Sequence, residues 1–326
     1  MRLCAPGLNA TPGAHRRLIA MNGIAACGAL ILMSLAGVPS PAQQEVVSTQ
    51  VLVTAESKRP AEIAVSAVAV KVDNRNQPVK AWAPLDPAKT QVAVLMDQGL
   101  RLSVGRELDT LRDFVKSLPE GLEVMVGAMQ YGSVRAEQTF TTDHNAAAAS
   151  LRLPVGSPAV SGSPYLCLSD FVQKWPESSA GGMGQKARIV LMITNGVDPY
   201  NGSTSVMNQD SPYVKTAVRD AQRAGVAVYS IYYGDAGFRG SQASLSGQGY
   251  LAQVADATGG SLFYQGSRSP VSMEPFLEQF KGDLAQSYVA TFDVPSDRKH
   301  DLVRVKVSAE GAKVRAPEAV RPGNRE

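Results

Sequence analysis

From about residue 90 onward the chain alternates unbroken apolar runs with amphipathic stretches, and no other feature narrows its fold so far. "QVAVLMD", "EVMVGAMQY", "ARIVLMITNG" and "VAVYSIYYG" are such runs, the signature of strands covered on both faces. Between them, "LDTLRDFVKSL" aligns Leu108, Leu111, Val115 and Leu118 on one helical stripe that Pro119 and Gly121 stop. "YVKTAVRDAQRAG" stacks Val214, Ala217, Val218 and Ala221 and ends at Gly225, where a C-terminal glycine belongs. "YLCLSDFVQKW", "GYLAQVADATGG" and "PFLEQFKGDLAQSY" are further helices, "SLFYQ" is a short strand, and "VRAEQTF" is a hairpin partner for the strand before it. Strands and helices in this order predict a doubly wound, mostly parallel α/β sheet with helices on both faces, Rossmann-like in architecture.

Around this unit, expected over residues 89–287, the pattern is β-like. Residues 43–88 hold "VVSTQVLVTAES" and "EIAVSAVAVKVDNRNQPV", and residues 288–326 hold "YVATFDVP", "DLVRVKVSAE" and "AKVRAPEAV". Sequence alone leaves open whether these two β segments share a sheet. Residues 1–42 differ again. His15, Arg16 and Arg17 precede an apolar run from Leu18 to Val38, and small residues stand at Ser40 and Ala42. That is the order of a secretory signal peptide, with cleavage expected after Ala42 and a periplasmic or extracellular product. An uncleaved anchor is one alternative, because a bilayer needs ~20 apolar residues. Asn22 and three glycines in the run count against it. Acylation at Cys27 in "IAAC" is another, although most of the apolar run follows that cysteine.

Charge and cysteine then exclude several roles. The chain carries 32 basic and 29 acidic residues, and the three arginines of residues 1–42 account for the excess. A neutral mature chain offers no global field for nucleic acid or an anionic membrane. Cys4 and Cys27 leave with the signal, so Cys167 has no partner for an intrachain disulfide. Its helical, apolar setting reads as a small buried hydrophobe. The mature chain holds only His144 and His300, neither beside a cysteine or nucleophile, which argues against zinc and against Ser/His/Asp catalysis. His144 is expected at a solvent-exposed helix start. Tyr229, Tyr232 and Tyr233 read as core and sheet-surface residues.

In an open α/β sheet, ligands bind at the carboxyl ends of the strands. One central strand ends there in Asp97, and another runs into Thr194, Asn195, Gly196, Val197 and Asp198, with the Ser157, Ser161 and Ser163 loop between them in sequence. Carboxylates, an amide and hydroxyls could hold Mg²⁺ or Ca²⁺. They are equally the inventory of a polar loop cluster that satisfies its own backbone.

The strands "QVAVLMD" and "KARIVLMITNGVD", the pair "AQRAGVAVYSIYYG", the unit "LAQVADATGGSLFYQ" and the tail "PFLEQFKGDLAQSYVATFDVP…HDLVRVKVS" resemble, in that order, a von Willebrand factor A domain. The likeness is closest to the secreted VWFA-related proteins of bacteria such as the acidobacteria, and spans about Val46 to Val320. It implies a doubly wound fold, a non-enzymatic binding role and, in many members, a metal-ion-dependent adhesion site. That site is degenerate here. Where the family has Asp-x-Ser-x-Ser, this chain has Asp97, Gln98, Gly99, Leu100 and Arg101; the family's Thr is matched at best by Ser163; Asn195 replaces the Asp of its "TDG" turn. Two lost hydroxyls and one lost charge disfavour a cation. Arg101 then has two expected placements: beside Asp97 in the ion's stead, or pointing to solvent at a decayed site.

These readings predict an exported interaction module that binds a protein partner through Asp97, Gly99, Arg101, Ser163, Asn195 and Asp198, without a cofactor. The alternatives are an envelope-assembly component acting through its β segments, and an adhesion domain that retains Mg²⁺ or Ca²⁺. A hydrolase using Asp97 lacks the basic and hydroxyl partners it would need.

Overall fold

The protein's structure, a computed structural model, describes residues 46–56, 62–157, 160, 162–176, 186–198, 211–234, 240–266, 268–295 and 301–323. The expected export signal with Cys4 and Cys27, together with Ser161, lies outside these residues. So does His300.

Six strands form the central sheet: β5 (Thr90–Asp97), β6 (Glu123–Gln130), β7 (Ser133–Thr141), β8 (Ala187–Thr194), β9 (Val226–Tyr232) and β10 (Leu262–Phe263). Their order is β10-β9-β8-β5-β6-β7. Pairings among β10, β9, β8, β5 and β6 are parallel, and β7 returns antiparallel to β6 as an edge strand. β5 is therefore the switch point: the chain first builds outward to β6 and β7, then crosses back to β8, β9 and β10.

The apolar runs alternate their side chains between two cores. Val92, Val94, Met96, Ile189, Leu191 and Ile193 face one side, against α1 (Leu108–Lys116), α2 (His144–Ser150) and α6 (Glu274–Ala285). Ala93, Leu95, Val190 and Met192 face the other, against α3 (Pro164–Gln173), α4 (Val214–Ala224) and α5 (Gly240–Thr258). This is the doubly wound architecture predicted from the alternation. The caps follow their chemistry: Ser163 accepts from the Leu166 amide at the start of α3, and Gly225 is left-handed at the end of α4. Cys167 and the three tyrosines are buried. His144 is a correction. Asp143 caps α2, so the helix start is right, but the imidazole is half-buried and its Nε2 lies 2.7 Å from the Leu122 carbonyl oxygen.

The open question about the β segments is answered by pairing. β1 (Val46–Glu56) and β4 (Val79–Pro84) flank β11 (Ser287–Pro295), and β13 (Lys313–Arg315) extends the sheet beyond β1. β2 (Val68–Val72), β3 (Arg75–Gln77), β12 (Val303–Ala309) and β14 (Ala319–Val320) form a second sheet. Between the two lies a core of Val53, Val70, Ala290, Phe292 and Val305 with their neighbours. Neither segment could bury this face alone, so the two β segments together make one β sandwich. A buried polar joint ties it to the central sheet. Thr54 Oγ1 lies 3.1 Å from Tyr229 Oη and 2.8 Å from Ser287 Oγ, and Arg315 pairs with Asp283 at 2.5 Å.

Candidate functional site

The carboxyl ends of β5 and β8 are neighbours at the switch point, so Asp97 and the Thr194–Asp198 turn meet. Asp97 is 1 % exposed. Its Oδ1 accepts from the Gly99 amide at 2.8 Å and its Oδ2 from the Thr194 hydroxyl at 2.6 Å. The second distance is that of a charge-assisted O–H···O⁻ bond. Thr194 Oγ1 in turn accepts from the Gly196 amide at 3.0 Å. Asp198 is also buried, and its Oδ2 accepts from Ser163 Oγ at 2.8 Å and Ser211 Oγ at 2.6 Å. Asn195 closes its own turn, Oδ1 accepting from the Val197 amide at 2.9 Å.

Helix packing holds this turn from the other side. Gly196 sits at φ +67°, and a Cβ on Gly247 of α5 would come within 2.4 Å of the Asn195 carbonyl oxygen. Only a glycine lets the helix backbone approach so closely. Tyr165 of α3 donates its hydroxyl to the Gly196 carbonyl at 2.7 Å. Burial first, then the nearby Asp198 carboxylate, pushes that phenol well above its usual range. Burial, followed by Asp97, likewise pushes the Cys167 thiol up to about 12.

Of the six residues read from the sequence, Asp97, Gly99, Ser163, Asn195 and Asp198 are buried around this turn. Arg101 is exposed, at the N-terminus of the 3₁₀ turn Leu102–Glu107. The two bonds to the Asp97 carboxylate described above come from neutral groups. Sequence reading missed Tyr165, Ser211 and Gln98. The Gln98 side chain accepts from the Val155 amide at 3.2 Å, and its carbonyl from Gly156 at 3.0 Å. No local motif marks these three, because their partners come from distant parts of the chain.

The cation set implied by the family is not matched by these donors. Gly99 supplies no side-chain oxygen, Arg101 is a cation, and the Ser163 and Thr194 hydroxyls direct their protons into carboxylates. Among the described residues there is no group of three or more His, Cys, Asp or Glu side chains placed to hold an ion.

No protein-family model matches the chain, and no curated protein matches it. Solved structures do resemble it. BatB from Bacteroides thetaiotaomicron is 11% identical over 60% of this chain and 97% of its own, with a TM-score of 0.38. A von Willebrand factor type A protein from Catenulispora acidiphila is 9% identical over 87% and 74%, at 0.42. The manganese-loaded TRAP protein of Plasmodium vivax is 12% identical over 71% and 82%, at 0.41. All three TM-scores lie below 0.5, and nothing about function follows from likenesses of this order.

Proposed function

We propose that the mature chain is an exported, non-enzymatic interaction module of the von Willebrand factor A type, which binds a protein partner at the strand carboxyl edge without a metal. The observation that carries this reading is the division of labour at that edge. The carboxylates and hydroxyls are buried and hydrogen-bonded to one another, so they hold the loops. Contact falls to the exposed residues beside them: Arg101, Leu102, Leu153 and Val155, the last three 61%, 51% and 59% exposed. These are adjoining groups. The Leu102 side chain lies against Gly156, and Leu153 lies against Gly105. An exposed apolar patch beside a charged residue is the kind of surface a protein partner covers. The ordered sequence resemblance supports the family-level role, and fold by itself fixes no function.

The test is affinity capture from the producing cells' envelope fraction, comparing the parent with L153D/V155D and with V271D, a change at a 90% exposed site in another loop. One specific protein should be retained by the parent and V271D, lost by L153D/V155D, and indifferent to EDTA. Loss in EDTA would restore the metal-dependent reading. Equal capture by all three chains would move the contact elsewhere, to the β sandwich of the assembly reading.

A further inference from the structure

At the opposite edge of the central sheet, the amino-terminal ends of β8 and β9 stand across from β1, β4 and β11 of the sandwich and leave a cleft of about 620 Å³. That volume is in the range of small-molecule sites. Its walls are part apolar and part basic: Leu52, Ala83, Val226 and Val289 line it together with Lys186 and Arg188.

Arg188 is the unusual member. It is half-buried at the start of β8, with its guanidinium carbon 5.4 Å from the centroid of Trp175. Among the described residues it has no carboxylate partner. The nearby acids are engaged elsewhere. Glu123 receives Lys186 at 2.7 Å on Oε1 and the Gln91 amide at 2.8 Å on Oε2. Asp220 receives Ser169 and Gln173 at 2.6 Å on Oδ2, and Arg223 at 3.3 Å on Oδ1. At the cleft mouth, Lys89 stands 3.8 Å from Asp86. Arg188, one of the residues lining the cleft, thus carries a positive charge that no carboxylate compensates among the described residues. Burial lowers its pKa below the usual arginine value.

We propose that this cleft binds an amphipathic anion with a single alkyl chain, the anionic head on Arg188 and the chain along Leu52, Val226 and Val289. A guanidinium accepts carboxylate or phosphate oxygens equally well. A fatty acid and an alkyl phosphate share this chemistry.

Isothermal titration of the purified protein, with each amphiphile below its micelle concentration, tests this. Dodecanoate and dodecyl phosphate should bind saturably. Tightening of about fourfold per added CH₂ is expected across the shorter carboxylates. Dodecanol should bind at least about tenfold more weakly, the loss of one charge-assisted contact. Dodecyltrimethylammonium should not compete. Arg188→Gln should erase the preference for the anions while leaving dodecanol binding in place. Ala83→Phe, which keeps Arg188, should weaken every chain by filling the cleft, with an unchanged melting temperature showing that the fold is kept. If dodecyl phosphate alone binds, the ligand is narrowed to the phosphate source. No saturable heat with either anion, dodecanol as tight as dodecanoate, or R188Q with its anion preference intact would overturn the proposal.

Discussion

Replacing Thr194 by Val tests the candidate site at its most connected atom. The substitution nearly conserves shape and removes one oxygen, which donates to Asp97 at 2.6 Å and accepts from Gly196 at 3.0 Å. Thr194 is fully buried and Asp97 is 1 % exposed, so water does not easily replace either bond. A hydrogen bond to a charged group is worth about 1.5–3 kcal/mol, and a buried amide left unsatisfied costs about 1–3 kcal/mol. The added methyl offsets roughly 1 kcal/mol. A net loss of about 3 kcal/mol follows, and for a chain of this size about 2 °C per kcal/mol gives a fall of roughly 6 °C in melting temperature. Differential scanning fluorimetry in EDTA and then in excess Mg²⁺, Mn²⁺ and Ca²⁺ reads both halves of the reasoning. The parent should melt at the same temperature in all four, and T194V should be displaced by the same amount in each. An ion bound only to the folded parent at 100 times its Kd would add about 2.7 kcal/mol, a rise of about 5 °C. That rise, or a T194V melt within about 1 °C of the parent, would refute the account of the Asp97 carboxylate as held in place by the Thr194 hydroxyl.

The remaining predictions concern packing, the polar joint and the lone thiol. Gly247→Ala should push α5 off the Asn195–Gly196 turn and cost about 1–3 kcal/mol by chemical denaturation. Gly249→Ala in the same helix, with nothing within 4 Å, should be neutral or stabilising. Arg315→Met should cost about 3–5 kcal/mol because it leaves Asp283 half of a largely buried ion pair, their side chains 17% and 19% exposed. Burial already raises the Asp283 pKa, and Arg315 opposes that rise. In R315M the folded-state carboxyl rises further. A raised carboxyl favours the folded protein when protonated, so this contribution is present at low pH and lost as pH rises through the folded value. The gap between parent and variant should therefore narrow on acidification from neutral pH; a gap that widens refutes the pairing. Cys167, its thiol pushed up to about 12 by burial and by Asp97, should resist a disulfide reagent in the native protein and react fully in denaturant.

Period and run length made much of the fold legible. An uninterrupted run such as Val92–Met96 has no polar face to offer water, so it must be covered on both sides, and the six buried residues Ile189–Thr194 say the same of β8. Helix ends were readable because Ser163 and Gly225 act on atoms within a few residues of themselves. The site was only half legible. Asp97, Ser163, Asn195 and Asp198 could be placed at one edge by topology, but their burial could not be foreseen: an Asp at a strand end looks the same whether it faces water or a threonine 97 residues away. His144 illustrates the same limit, since its acceptor is the Leu122 carbonyl, 22 residues back in the chain.

The sequence by itself therefore determined the elements and their layering, because hydrophobic periodicity and capping are short-range and act along the chain. Tertiary structure decided the rest. Val51 pairs with Ala290, and Val70 with Val307, which makes one sandwich of two segments that read separately as loose strands. It also decided that the carboxylates at the sheet edge are held by hydroxyls from distant loops, and that Arg188 lines a cleft with no carboxylate partner among the described residues. Each of these depends on groups far apart in sequence sharing one desolvated space, and no local pattern records such an encounter.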